Sequence, residues 1–315
     1  MARTSLVDTL EISEENNKGR TAQDAGAQAI FETPRLTFHL RFSKHYPRES
    51  RQELLCGLSE NLVIKAHDLV EKTIPSIKNR KTRIKLFKNI PVGGGLGGGS
   101  SNAACALRGL AVFYRMPIKK NVLLRMAQNL GSDVPFFLKE GGPFWWADGY
   151  GERLKEIKVP GKLPCLILYP GFASSTQRAY SLLDKSFACA GKRRGGVFLT
   201  PNYIIRKLST DVASLLDRTL SGCSGNRTLN GRGLTYNSFE EVVFARHPVL
   251  VKAKLWLLNN KALKVGLSGS GSCLFAIGKS LFECHKMARS INGTQLFNGF
   301  NCYVCETCDS ITYKS

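Results

Sequence analysis

Apolar and polar positions along this chain fall into two rhythms. Strand-like runs occur near 5–12, 35–42 and 82–88, where apolar residues alternate or cluster over a few positions. Helical spacing appears near 60–73, 101–115 and 120–130, and the last of these stops at Gly131. Two turn-linked strands near 143–157 precede a buried-looking run, Leu163-Pro164-Cys165-Leu166-Ile167-Leu168. Beyond it the pattern predicts helices near 176–186, 201–216 and 248–260, then strands near 263–268 and 272–278. A helix near 280–291 and a last strand near 295–304 follow, and the polar, glycine-rich stretch from Ser221 to Gly233 reads as a loop. Mixed strands and helices without internal repeats predict an α+β fold. A boundary near 160 divides the chain into residues 1–160 and 161–315.

One segment interrupts both rhythms. Pro91-Val92-Gly93-Gly94-Gly95-Leu96-Gly97-Gly98-Gly99-Ser100-Ser101 places six glycines in seven positions. Without Cβ atoms the backbone can approach a bulky anion and take positive φ. Asn102 and the apolar run Ala103-Ala104-Cys105-Ala106-Leu107 follow, which predicts a helix with a Ser/Asn cap. A glycine loop feeding a helix N-terminus gathers N–H groups and the positive end of a dipole, a combination suited to polyphosphate. The bland alternative is a flexible linker, but the strand-like Thr82–Phe87 on one side and the capped helix on the other argue against it. No lysine stands where a Walker A loop needs one, and a Gly-x-Gly-x-x-Gly spacing inside a glycine run is a weak dinucleotide signal.

The chain has 315 residues and no apolar run of membrane-spanning length. Residues 1–30 are polar and mixed in charge, without the apolar stretch of a secretion signal. The expected location is the cytoplasm, or a plastid if a transit peptide is encoded upstream. Lys and Arg number 45 against 24 Asp and Glu, a formal charge of +21. Such a surface draws polyanions. The dense clusters, 78–88 and Lys192-Arg193-Arg194, lack the interleaved aromatics of a single-strand binder, so no nucleic-acid partner is expected. Ten scattered cysteines suggest a reducing compartment. Cys302, Cys305 and Cys308 have a spacing that could hold zinc or a cluster, with chance as the competing explanation. The five histidines form no group at ligand spacing, so no protein-held metal is expected.

The glycine segment resembles the phosphate loop of the GHMP kinases, which include galactokinase, homoserine kinase, mevalonate kinase and phosphomevalonate kinase. Its triple glycine before Ser100-Ser101-Asn102 is most similar to the branch that phosphorylates 4-diphosphocytidyl-2-C-methyl-D-erythritol. Gly131-Ser132-Asp133-Val134-Pro135-Phe136-Phe137 resembles the segment that carries the family's catalytic aspartate. Similar correspondences run through Gly142–Glu152, Tyr169–Tyr180, Tyr236–Glu240 and Leu267–Ala276.

The resemblance implies two lobes, with a left-handed βαβ unit in the first and a ferredoxin-like second. It implies ATP and Mg²⁺ at Pro91 through Ser101, with Asn61 and Lys88 where the family contacts adenine. Asp133 would be the base that takes the acceptor hydroxyl's proton, although a turn or helix-cap aspartate is the alternative for it. Asp133, Thr176 and Gly269 would line the site of the small-molecule acceptor. Gly269-Ser270-Gly271 is expected to support that pocket by close backbone packing. A monomer or homodimer is expected.

The resemblance departs at the beginning of the chain. The family opens with Pro-Ala-Lys-Ile/Leu-Asn-Leu, whose lysine assists phosphoryl transfer, and then Asp-Gly-Tyr-His, whose Tyr-His pair contacts cytidine. Neither motif occurs here, and Ser5–Ile12 resembles the strand that follows them. A sheet short of one strand, with an exposed edge, is therefore expected. Lys18 and Arg20 are not assigned the lysine's part. Three functions stay open: this kinase, a GHMP kinase for another alcohol such as mevalonate or homoserine, and a nucleotide binder without catalysis.

Overall fold

The computed structural model describes residues 1–15, 27–74, 80–149, 151, 153–158, 161–189 and 237–309. The first sheet contains β1 (Thr9–Glu14), β2 (Ala29–Glu32), β3 (Leu36–Phe42) and β4 (Thr82–Lys88) in the order β1-β4-β3-β2. β3 and β4 are parallel, with Phe38 opposite Ile84, and the two outer pairs are antiparallel. A parallel pair needs a crossover. Here it contains α1 (Arg48–Cys56) and α2 (Leu62–Thr73), which makes this the βαβ unit expected of the fold. Phe38, Leu40, Ile84 and Leu86 pack under Val63, Ala66 and Val70 of α2 and Ala103, Leu107 and Leu110 of α3 (Gly98–Phe113). α4 (Lys120–Leu130) and α5 (Val134–Leu138) close the lobe.

A two-stranded hairpin, β5 (Trp145–Asp148) with β6 (Arg153–Glu156), leads to the second sheet. That sheet contains β7 (Pro164–Tyr169), β8 (Lys264–Leu267), β9 (Leu274–Ile277) and β10 (Asn301–Glu306), in the order β10-β7-β9-β8. Every neighbouring pair is antiparallel. Numbered within the lobe, the order is 4-1-3-2. Helices α6 (Thr176–Cys189), α7 (Phe239–Arg246) and α8 (Pro248–Asn259) come between its first and second strands, and α9 (Leu281–Asn292) between its third and fourth. This is the ferredoxin-like arrangement the resemblance implied.

The predicted elements match to within a few residues where their burial pattern is strong. β4 alternates buried and outward positions along its length, and α4 occupies its predicted range. Four elements were not foreseen: β2, α1, α5 and α7. α1 buries only Ser50, so it carries no apolar stripe to betray it. The strand predicted near 295–304 begins instead with a 3-10 turn at Gln295–Phe297 and becomes extended only from Asn301. The predicted helix near 201–216, the 221–233 loop, Tyr236, Tyr150, Glu152 and Lys192–Arg194 lie outside the described residues.

β1 stands at one edge of the first sheet. Ahead of it, Met1–Ser5 laces the hairpin to β10. Trp145 N–H donates to Met1 O at 2.9 Å, Arg3 N–H to Pro143 O at 3.0 Å and Ser5 N–H to Glu306 O at 2.8 Å. The Arg3 side chain is buried, with only 4% of the residue exposed. Its guanidinium donates to the carbonyls of Phe136 at 2.9 Å, Lys139 at 2.5 Å and Gly141 at 3.3 Å. It also lies over the rings of Phe136 and Trp145. Arg3 therefore holds the C-terminal end of α5, where backbone carbonyls lack helical partners. Arg3→Ala is expected to lower the unfolding free energy by about 2–4 kcal/mol, since hydrogen bonds to a charged group contribute roughly 1.5–3 and the stacked rings add to that. Urea unfolding of both proteins measures it.

Candidate active site

The glycine loop joins β4 to α3, and its backbone alternates. Gly93, Gly95 and Gly97 have φ of 70°, 72° and 68°, the left-handed region where side chains are strained. A Cβ on Gly95 would overlap the Ser268 carbonyl oxygen, and one on Gly93 would overlap Ala173. The loop carbonyls face the second lobe. Ser174 N–H reaches Gly93 O at 2.8 Å, Cys273 N–H reaches Gly94 O at 3.1 Å and the Ser268 hydroxyl reaches Gly95 O at 2.9 Å. With its carbonyls held behind it, the loop leads into the first turn of α3.

That helix begins earlier than predicted. Gly97, not a serine or Asn102, is the N-cap, and it makes no side-chain capping bond. Ser100 and Ser101 consequently sit inside the first turn, with Gly98 and Gly99 ahead of them. The first N–H groups of a helix have no internal partner, and they carry its positive dipole end. Gly99 is exposed, and a Cβ there would meet only Leu62 Cδ1 at 3.7 Å. Ser101 Oγ donates to Gly98 O at 2.9 Å, which leaves its lone pairs as acceptors.

Asp133 occupies the N-cap position of α5 yet makes no capping hydrogen bond. The turn-and-cap alternative would have spent its carboxylate on that bond. Desolvation by the surrounding protein raises its pKa, and the positive charge of the Met1 ammonium acts the other way. α5 touches the loop, because a Cβ on Gly97 would press against Phe137 Cζ at 3.0 Å. Behind Asp133, Gly151 of the hairpin turn packs so closely on the Ser132 carbonyl that a side chain would overlap it.

The other predicted positions divide. Gly269 meets the loop, where a Cβ on it would stand 3.0 Å from Gly95 O, and Thr176 Oγ1 lies 2.9 Å from Oγ of Ser270, the residue after Gly269. Asn237, with Nδ2 donating to Gly269 O at 2.7 Å, joins this group. Asn61 caps α2 by accepting from Val63 N–H at 3.0 Å. The next residue, Leu62, faces Gly99 in the first turn of α3. Lys88 is a correction. Its side chain is 2% exposed and its ammonium is paired with Asp8, so it lies beneath the loop rather than at a nucleotide surface. Sequence reasoning missed Asp8 altogether; the signal was an acidic residue inside the apolar run Leu6–Ile12.

Other expected chemistry is resolved by geometry. Residues three apart on an extended strand point to opposite faces. Cys302 and Cys305 accordingly pack into separate apolar clusters and cannot converge on one ion. Burial pushes their thiols up, to about 12 and about 11. His67 stands with two acids, Asp68 and Glu71, on α2, donor atoms within 4.8 Å of one another. Glu71, however, is already ion-paired with Arg35. Magnesium takes hard oxygen donors and keeps several waters. The hydroxyls of Ser100 and Ser101 and the Asp133 carboxylate are hard oxygen donors of the kind that chemistry needs. The basic run before the loop is largely neutralised: Arg80, Lys81, Arg83 and Lys85 face Glu14, Glu32, Glu15 and Glu11.

A glycine loop opening α3, an uncapped aspartate at α5 and a ferredoxin-like second lobe are the features of a GHMP kinase. Residues 61–141 match the N-terminal domain of the GHMP kinases, and residues 214–292 match their C-terminal domain. A 4-diphosphocytidyl-2-C-methyl-D-erythritol kinase of Sulfurihydrogenibium sp. is 35% identical over 238 residues, 75% of this chain and 76% of its own length. The kinase of the same name from Thermodesulfovibrio yellowstonii is 30% identical over 251 residues, 78% and 79% of the two chains. A crystal structure of a 4-(cytidine 5'-diphospho)-2C-methyl-D-erythritol kinase superposes with a TM-score of 0.62 at 25% identity, covering 98% of this chain and 89% of that one. Homoserine kinase from Cytophaga hutchinsonii shares the fold at a TM-score of 0.60 and 18% identity, covering 89% of this chain and 85% of that one. This chain belongs to the 4-diphosphocytidyl-2-C-methyl-D-erythritol kinase family.

The loop geometry separates two glycine substitutions. Gly95→Ala is expected to lower stability by more than about 1 kcal/mol, through left-handed strain and the clash with Ser268. Gly99→Ala, in a helical turn with space for a methyl group, is expected to be neutral or stabilising by up to about 1 kcal/mol. Thermal melts of the two variants provide the comparison.

Proposed function

We propose that this protein transfers the γ-phosphoryl group of ATP to the 2-hydroxyl of 4-diphosphocytidyl-2-C-methyl-D-erythritol. The observation that carries the reading is that the glycine loop touches both α5, the helix that Asp133 begins, and Gly269 of the second lobe. The relatives' shared name supplies the acceptor. In phosphoryl transfer the protein contributes mostly position and charge stabilisation. N–H groups of Gly98 to Ser101 would hold phosphate oxygens. Bound magnesium would neutralise charge on those oxygens, with Ser100, Ser101 and Asp133 as its available protein donors. Asp133, in its ionised form, accepts the proton of the acceptor hydroxyl as that oxygen approaches phosphorus. Thr176, Ser174 and Gly269 orient the acceptor from the second lobe. Residues 1–160 form the nucleotide side in this reading and 161–315 the acceptor side, in the cytoplasm or a plastid, as monomer or homodimer.

In this reading catalysis draws on backbone N–H groups, magnesium and the Asp133 carboxylate. The direct test is ATP-dependent turnover of 4-diphosphocytidyl-2-C-methyl-D-erythritol, with mevalonate and homoserine as competing acceptors. Turnover of the first alone is the expected result. Turnover of either competitor instead, or ATP binding without transfer to any acceptor, would contradict it.

Two further outcomes follow from Asp133. Asp133→Asn should reduce kcat by about 10²–10⁴ while leaving the affinity for a non-hydrolysable ATP analogue near its original value. The acid limb of kcat should lie above the ordinary aspartate range. Desolvation raises the carboxyl pKa, so activity is lost earlier as pH falls. A pH–rate profile reads this directly.

A further inference from the structure

The glycine loop begins and ends on one carboxylate. Asp8 lies just ahead of β1, and its side chain is 1% exposed. Oδ1 accepts the N–H of Asn89 at 2.7 Å and of Ile90 at 2.8 Å, the two residues immediately before Pro91. Oδ2 accepts Asn102 Nδ2 at 3.0 Å, one residue past the loop's last serine, and pairs with the Lys88 ammonium. Asn102 is itself 6% exposed. Burying a carboxylate is unfavourable unless donors replace its water, and here four donors do so. Those donors come from the last residue of β4, the two residues leading into the loop and the helix that leaves it. The pair also lies against the underside of that helix, since a Cβ on Gly98 would be 3.4 Å from Lys88 Nζ.

We propose that Asp8 is a positioning residue for the nucleotide. By holding the start of the loop and the early part of α3 on one group, it sets the aim of the N–H groups in the first turn. It touches no phosphate itself. The inference rests on the ATP reading above, and it adds a requirement on a residue remote in sequence from the loop. Small displacements of a positioning group cost heavily, because held geometry is much of what such a site supplies.

Three variants test it beside the wild type, each assayed for thermal stability, affinity for a non-hydrolysable ATP analogue and acceptor KM. Asn102→Ala cuts the tie to α3 and leaves the buried ion pair intact. Asp8→Ala/Lys88→Met removes both charges together, so no lone buried charge remains. Leu257→Ala, in the core of the second lobe, is a stability control. Analogue affinity is expected to fall by about tenfold in the double variant and about threefold in Asn102→Ala, as expected for a misaimed site. Acceptor KM should stay within about twofold, because the acceptor side is built from other residues. Leu257→Ala should lose stability while keeping analogue affinity. If the double variant does not fold, Asn102→Ala decides the matter.

Wild-type affinity in a folded double variant overturns the proposal, as does an unchanged Asn102→Ala where the double variant is unfolded. An equal loss of affinity in Leu257→Ala also overturns it. A wild-type chain that does not bind the analogue overturns the ATP reading, and this proposal with it. A wild type that binds the analogue but transfers nothing overturns the acceptor reading alone.

Discussion

Two backbones approach each other so closely at Gly93–Gly95 that no side chain fits between them, and the rest of the site depends on that contact. Carbonyls of the loop accept hydrogen bonds from Ser174, Ser272 and Cys273, all in the second lobe. Backbone groups buried without partners would be unfavourable. Here the partners come from 80 to 180 residues away in sequence, on the order of a domain length. The glycines are therefore more than a flexible cover for phosphate. They allow a first-lobe loop to be braced by second-lobe backbone, and the bracing leaves the first turn of α3 with an exposed glycine and two serines. Ordering this many glycines is entropically costly, so the close interlobe bonding has a cost to offset.

Charge is arranged by the same economy of place. The surface pairs of β1 and β2 with β4 are partly exposed, as with Arg80 at 42% and Glu14 at 50%, and such pairs contribute little stability. Their effect is to neutralise a cationic strand that would otherwise compete for polyanions. Asp8 and Lys88 are different, being buried and saturated. Asp133 is different again. It keeps a solvent-facing edge and spends no bond on its own helix, while desolvation holds its proton more tightly than usual. A carboxylate left without a structural task at the N-cap of a short helix is available for chemistry.

Much of this was legible in the sequence because the strongest signals are local. β4 alternates cleanly, α2 carries an apolar stripe over Val63, Ala66 and Val70, and the glycine run stands out in any context. α1 was not legible, since its polar sequence is held by single contacts such as the Ser50 hydroxyl to Tyr169 of β7 at 2.8 Å. Lys88 was misplaced for a related reason: nothing near it in sequence announces a carboxylate 80 residues earlier that would take its charge. The pairing of Met1–Ser5 was not legible because its partners, Phe144 and Thr307, lie more than 140 residues away, on the order of a whole domain. Spacing could raise a metal site at Cys302–Cys308, but only the strand's two faces dismiss it.

The most direct test of this account is amide hydrogen exchange across the chain, with and without a non-hydrolysable ATP analogue. If the phosphates rest on a loop braced by both lobes, the analogue should slow exchange in residues 93–101 and, together with them, in 268–273. Protection confined to the loop would mean that the second lobe does not brace it. Protection elsewhere, with the loop unchanged, would mean that the glycine segment does not hold the nucleotide at all.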